Sequence, residues 1–150
     1  MIAETGAYKL LVADEELNAI LDEIRGAPFG GGFRQGIFTY DIPEKPTNMK
    51  RAELAPFIRI YTTYEAPFYY GDNEVVGTEQ RLTINFWCQT AQQADRIAKR
   101  MDAVLENGGF ERYTANEKPR YWDNDIDLLM SNRKYRYFDW EELEKLKGNE

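Results

Sequence analysis

The chain has 150 residues with 26 acidic and 19 basic side chains, a net charge of −7, one cysteine and no histidine. A single domain of this length buries enough surface to fold without a disulfide or a metal. The absence of histidine excludes Ser-His-Asp and Cys-His catalysis and histidine-ligated metals. One cysteine excludes an internal disulfide and a cysteine-rich zinc site.

The charge and the hydropathy pattern indicate where the protein works. An acidic chain repels phosphates, so we expect no nucleic-acid surface built on a basic patch. The N-terminal residues lack the pattern of a signal peptide, and no apolar run approaches the ~18 residues of a membrane span. We therefore expect a soluble intracellular protein that does not bind membranes.

The first predicted element is a helix over residues 13–26. Its apolar side chains recur at i, i+3, i+4 and i+7, with Asp14 at the N-cap and Gly26 at the end. The sequence leaves open whether this helix extends back through residues 9–12. The glycines at 30–32 lack the Lys-Ser/Thr pair of a phosphate-binding loop, which favours a flexible connection over a phosphate site.

Strands are predicted over residues 36–42, 56–66 and 81–88, with a long loop or hairpin tip over 65–80. A second helix is predicted over 90–109, where Thr90 and Gln93 have capping-box spacing. A short strand follows at 110–114. Residues 126–130 and 133–138 form either a hairpin or one bent strand.

The element order α-β-β-β-α-β-β predicts an α+β fold. We expect an antiparallel sheet of four to five strands with both helices packed on one face. Residues 1–138 form the predicted single domain. Residues 139–150 form a charged, helix-prone C-terminal tail with Trp140 and Leu143 as its anchors.

Cys88 lies where a predicted strand meets a predicted helix, a position at which some enzymes place a nucleophile. Side chains alternate along a strand, so Cys88 shares the apolar face of Leu82 and Phe86. No histidine can act as its base, and the next arginine, Arg96, is too distant for a C-x5-R phosphatase loop. We interpret Cys88 as a core residue.

The carboxylates of Asp123, Asp125 and Asp127 resemble the start of a calcium loop. An EF-hand counted from Asp123 needs glycine and glutamate where this chain has Leu128 and Lys134. We interpret the segment as a solvated loop or as charge partners for neighbouring arginines. The sequence therefore predicts no catalytic residue, no cofactor and no metal.

The second face of the predicted sheet, opposite the helices, mixes aromatic and arginine side chains. In the purely structural interpretation, this is an ordinary amphipathic sheet face, with the loop aromatics packed on the rim of the domain. The functional interpretation is a protein interface, which favours these residue types. The candidate interface residues are Phe57, Arg59, Tyr61, Phe68, Tyr69, Tyr70, Arg81, Trp87 and Trp140.

The order of several short segments resembles a known family. A first helix and a glycine turn are followed by DIPE at 41–44, PFIRI at 56–60, YYGD at 69–72 and NRKYRYF at 132–138. This order and spacing resemble the minor tail proteins of siphophages that infect Gram-positive bacteria, related to tail terminator or tail-completion proteins. The C-terminal tail departs from the family pattern.

The resemblance implies a structural role without catalysis or cofactor. Tail terminators are α+β domains that form a hexameric ring, which ends the tail tube and joins it to the head. The implied partners are further copies of the chain, the tail tube protein and a head-completion protein, with DNA passing through the ring without sequence-specific binding. The implied location is the virion tail, assembled in the host cytoplasm.

Two other functions remain open from the sequence. One is a small monomeric interaction or inhibitor protein that binds a host or phage enzyme. The other is an enzyme such as a carboxylate hydrolase, which would require a pocket with paired acids.

Overall fold

The computed structural model describes residues 2–29, 36–45, 48–70, 74–113 and 118–140. Three α-helices and six strands make up this part of the chain, which is an α+β fold. In chain order they are α1 Ala3–Ala13, α2 Glu15–Arg25, β1 Ile37–Thr39, a 3-10 turn Ala52–Leu54, β2 Phe57–Tyr70, β3 Glu74–Cys88, α3 Ala91–Asn107, β4 Glu111–Arg112, β5 Arg120–Asp123 and β6 Leu128–Asp139.

The sheet is mixed, with strand order β1-β2-β3-β6-β4 and β5 beside β6. β1 runs parallel to β2, and the other pairs are antiparallel. The prediction of an all-antiparallel sheet of four to five strands was wrong in both respects. The long connection between β1 and β2, which carries the 3-10 turn, returns the chain in the same direction, as a tight hairpin cannot.

The predicted first helix, over residues 13–26, corresponds to α2, and the segment 9–12 that the sequence left open belongs to a separate helix, α1, which meets α2 at Asp14. Asp14 ends α1 and caps α2, because its Oδ2 accepts a hydrogen bond from Leu17 N at 2.8 Å. The Asn18 amide fixes this corner by donating to Val12 O and Asp14 O, both at 2.8 Å. Gly26 ends α2 with a φ of +82°, as predicted. The prediction of two helices missed α1.

The main core lies between the sheet and the three helices. Cys88 belongs to it, which confirms the predicted inward face of β3. The α3 cap is confirmed too: Gln93 N donates to Thr90 Oγ1 at 3.2 Å, and Gln93 Oε1 accepts from Gln89 N at 2.9 Å. The largest strand residues in this core are Ile37, Ile58, Ile60, Leu82, Ile84, Phe86 and Tyr135.

A second apolar core covers part of the opposite face of the sheet. Partly buried side chains from the connection between β1 and β2, among them Met49 and Leu54, pack onto it. Arg25 holds this connection to α2, because its guanidinium donates to Leu54 O at 2.8 Å and to Pro56 O at 2.5 Å. The buried residues of the second core are Phe29, Phe38, Ile42, Phe57, Trp87, Leu128 and Met130.

Of the two alternatives for residues 65–80, a long loop or a hairpin tip, the structure has a hairpin, and both strands continue through most of this segment. Their pairing runs to Tyr70 opposite Glu74, with register shifts between Thr62 and Tyr64 and between Phe68 and Tyr69. β6 is one continuous strand, which decides the alternative left open by the sequence, and pairs with β3 as far as Asp139 opposite Thr78. Residues 65–70 of β2, 74–80 of β3 and 137–139 of β6 therefore form a three-stranded extension of the sheet, which we call the arm.

Some expectations concern residues outside the described part of the chain. These are the glycines at 30–32 and the C-terminal tail beyond Trp140. None of the helices in the described ranges is long and apolar enough to cross a lipid bilayer.

Candidate interaction surface

The thiol of Cys88 is placed for packing and not for nucleophilic attack. Its side chain is fully buried, and Sγ donates to Thr90 O at 3.4 Å. Burial raises the pKa of the Cys88 thiol to about 11. At neutral pH the group is a protonated thiol, which is a poor nucleophile.

The carboxylate of Asp123 has structural partners. One oxygen accepts a hydrogen bond from Trp87 Nε1 at 3.0 Å, and the other accepts from Asp125 N at 3.1 Å in the turn before β6. Arg133 points to the helix side of the sheet and does not pair with this segment. Within the described ranges, no group of three or more His, Cys, Asp or Glu side chains is placed to hold a metal ion.

Asp102 of α3 joins the helical layer to β6. It accepts hydrogen bonds from Arg133, whose Nε lies 3.0 Å away, and from the hydroxyl of Tyr135. Burial, followed by the contact with Asp102, raises the pKa of Tyr135 far above its usual range. This network connects α3 to β6 through side chains that are already paired with one another.

Two of the predicted interface residues, Phe57 and Trp87, are buried. Their exposed fractions are 0% and 1%, and their rings pack 5.3 Å apart within the second core. The alternation correctly placed them on the side opposite the helices. It could not show that the connection between β1 and β2 covers that end of the sheet, so the expectation that they face a partner is corrected.

The uncovered part of the same face begins at Arg59. Its guanidinium lies 5.1 Å from the centre of the Tyr61 ring and donates to Asn85 Oδ1 at 2.5 Å. Asn85 in turn donates to Asn132 on β6. An open cavity of about 350 Å³ is lined by Tyr40, Arg59 and Tyr61. The Arg59 side chain that lines this cavity is therefore held in place by a ring contact and a hydrogen bond.

Arg81 continues the row along the sheet toward the arm. Its guanidinium lies 4.3 Å from the centre of the Tyr64 ring and 5.0 Å from that of Tyr113, and it pairs with Glu79 at 3.2 Å. Tyr64 was not among the predicted interface residues, although it is 43% exposed. The outer strip is defined by Arg59, Tyr61, Tyr64 and Arg81.

The arm carries a cluster of three aromatic side chains on the same face. Phe68 contacts Phe138 and Trp140 edge-on, with ring centres 5.4 and 5.0 Å apart, and Trp140 is 37% exposed. Gly77 lies beneath them, where an added Cβ would be 2.3 Å from the carbonyl oxygen of Asp139. Phe68, Phe138 and Trp140 form the arm patch. The predicted neighbours Tyr69 and Tyr70 have side chains outside the described part.

Two further exposed features were not predicted from the sequence. Tyr121 and Trp122 of β5 are 40% and 48% exposed on opposite faces of the sheet. In the sequence, the carboxylates that follow them are the more conspicuous feature of this segment. An open groove of about 810 Å³ also runs between α1 and α3, with Leu10, Val104 and Tyr137 among its apolar lining residues.

No family model matches the chain, and no curated protein matches it. Among solved structures, the chain is similar to one described as the structure of the bacteriophage SPP1 gp17 protein. The sequences are 14% identical, the TM-score is 0.48, and the match covers 93% of this chain and 91% of that chain.

Proposed function

We propose that this chain is a structural subunit of a tailed-phage virion, which assembles with further copies into a ring that ends the tail tube and joins it to the head. The observation that carries the proposal is the outer strip with its continuation in the arm patch. Aromatic and guanidinium groups that are exposed or half-buried on one sheet face are the composition that protein interfaces favour.

The outer strip is pre-organised for contact with a protein. Arg59 is held between the Asn85 amide and the Tyr61 ring, and Arg81 between two tyrosine rings. Side chains that are already ordered lose little rotamer freedom when a partner binds, which lowers the entropic cost of association. A rigid surface of this kind suits a permanent assembly contact.

The partners and location follow from the sequence resemblance. The proposed partners are copies of the chain itself in a hexameric ring, the tail tube protein and a head-completion protein, with DNA passing through without sequence readout. The proposed location is the virion tail, assembled in the host cytoplasm. The proposed role is non-catalytic, and it is in keeping with Cys88, whose buried, protonated thiol is a poor nucleophile at neutral pH.

The purified chain should bind to one end of isolated tail tubes that lack it. Negative-stain electron microscopy would show an annular density at that end. The double variant Tyr61→Ser with Tyr64→Ser should lose this binding, because it removes both aromatic rings of the outer strip, the half-buried Tyr61 and the exposed Tyr64. Lys99→Ser, an exposed position on α3, is the matched surface control and should bind as the wild type does.

Tubes that stay bare at both ends with the wild-type chain would contradict the proposal. They would favour the monomeric interaction protein, for which capture of a single enzyme partner is the expected behaviour.

A further inference from the structure

One edge of β2 is largely without a strand partner in the part of the chain that the structure describes. β1 covers it only from Ile58 to Ile60, and the last outward bond runs from Tyr40 N to Ile60 O at 2.7 Å. From Tyr61 to Phe68 the outer side of β2 has no strand partner among the described residues. An unpaired edge offers a row of N–H and C=O groups that an extended chain can complete.

The outward-facing backbone groups can be assigned from the pairing. Ile58 N donates to Gly36 O, so Ile58 and Ile60 face the edge and Thr62 is next in the alternation. Beyond the irregularity at Thr63, the register with β3 places Glu65 and Pro67 outward. Proline is tolerated at an outward position because β3 does not need its N–H. Thr62 and Glu65 therefore offer both a donor and an acceptor.

The opposite edge of the same sheet is formed by β4. β4, with Glu111 and Arg112, pairs with β6 and has no further strand partner in the described ranges. Arg112 lies opposite Tyr135, which lies opposite Leu82, which lies opposite Thr62. The free part of β2 and the free side of β4 are thus level with each other across the sheet.

We propose that the free edge of β2 in one copy of the chain pairs with β4 of a second copy, continuing the sheet from subunit to subunit. Strand directions alternate from β2 through β3 and β6 to β4, so the new pair is antiparallel. Because the two edges are level, each added copy stays at the same height along the strands. Such a head-to-tail contact forms a ring when its rotation closes.

Side-chain charge at the two edges is complementary. Glu65 pairs in register with Gln80, whose Oε1 accepts from Ala3 N, so Glu65 faces the helix side of the sheet. Arg112 faces the same side, 3.6 Å from Asp102, with a side chain 47% exposed. With Thr62 level with Arg112, Glu65 is the next outward residue on the same face, so pairing the edges places the exposed Glu65 carboxylate of one copy diagonally opposite the Arg112 guanidinium of the next.

The inference rests on the proposed self-assembly and names the surfaces that carry it. A double variant, Thr62→Cys with Arg112→Cys, places one thiol on each edge. The native Cys88 is buried and should not react. We expect oxidation to give a ladder of disulfide-linked species larger than a dimer, in the purified chain at high concentration or on tail tubes. The single variants, and Thr62→Cys paired with Arg96→Cys on α3, should give no ladder.

A second pair of variants tests the backbone contact itself. Glu65→Pro removes an outward N–H that β3 does not use, whereas Glu65→Thr removes the same carboxylate and keeps the N–H. Loss of backbone hydrogen bonds should weaken self-association by about tenfold in the proline variant relative to the threonine variant. Circular dichroism and urea unfolding would verify that both variants fold.

The outcomes separate the inference from the proposed function. Absence of a ladder in both preparations, or dimers formed by Thr62→Cys alone, would overturn the pairing of β2 with β4. If rings still form on tubes although the variant Thr62→Cys with Arg112→Cys gives no ladder in either preparation, the structural role stands and another surface forms the contact between copies. If the wild-type chain neither binds tubes nor associates with itself, the proposed function fails as well.

Discussion

The indole of Trp87 donates a hydrogen bond from Nε1 to the carboxylate of Asp123 at 3.0 Å. From the sequence, Trp87 is a candidate interface residue, and Asp123 belongs to the carboxylate segment that resembles the start of a calcium loop. The structure joins them within the second core, where Trp87 is 1% exposed. The contact accounts for both sequence features as parts of the fold.

Asp123→Ala should destabilise the protein by about 1–3 kcal/mol, because it leaves the buried indole N–H without an acceptor. The free energy of unfolding in urea measures this loss. Asp125→Ala, an exposed position in the same turn, should change stability by less than about 0.5 kcal/mol. A double-mutant cycle with Trp87→Phe should show coupling between the two side chains. Independent, additive effects would mean that the hydrogen bond is unimportant.

Asp102→Ala should have a larger effect, about 3 kcal/mol or more. The change leaves the Arg133 guanidinium, whose side chain is 12% exposed, without its carboxylate partner and also removes the acceptor of Tyr135. Asp95→Ala on the same helix removes only the exposed pair with Lys99 and should cost roughly 0.3–0.5 kcal/mol. Equal destabilisation by the two alanine variants would contradict the central role assigned to Asp102.

Stability should depend on the ionisation of Asp14. The hydrogen bond from Arg100 chiefly lowers the pKa of Asp14, against burial, which raises it. A carboxylate whose pKa is lowered by folding stabilises the protein above its unfolded pKa of about 3.9, and this contribution is lost as the pH falls through the lower folded value. Wild type should exceed Asp14→Asn in unfolding free energy at pH 7, and the difference should shrink below about pH 4. A difference independent of pH would contradict this assignment.

The thiol of Cys88 should react slowly in the folded protein. Burial and the pKa of about 11 both keep the thiolate scarce at pH 8. Labelling with a chromogenic disulfide should therefore be slow in buffer and rapid in denaturing urea. Cys88→Ala should still bind tail tubes as the wild type does. Rapid labelling of the native protein would reopen the question of a functional cysteine.

The local signals of the sequence predicted the local structure well. The Asp14 and Thr90 caps, the Gly26 stop and the inward face of Cys88 all appear as expected. Each depends on one residue and its immediate chain neighbours. The missed α1 has a weak apolar pattern, and its boundary lies at a corner held by Asn18, a tertiary contact that periodicity does not reveal.

The topology of the sheet and the cover over one of its faces could not be predicted from the alternation of side chains along each strand. Tyr40 adopts a φ of +71°, which turns the chain and ends β1 at Thr39, short of the predicted strand. The parallel pairing of β1 and the cover over Phe57 both follow from the path of the long connection. Alternation gives the face of a residue but not what lies above it. For this reason it grouped Arg59, Tyr61 and Arg81 of the outer strip with the buried Trp87 as one surface.

Electron microscopy of virions produced without this chain tests the central claim most directly. The account predicts tails that are overlong or lack heads, with normal particles restored by the wild-type chain and by the control variant Lys99→Ser. The outer-strip variant Tyr61→Ser with Tyr64→Ser should fail to restore them. Tails of normal length joined to heads in the absence of the chain would contradict the claim that it ends the tube and joins it to the head.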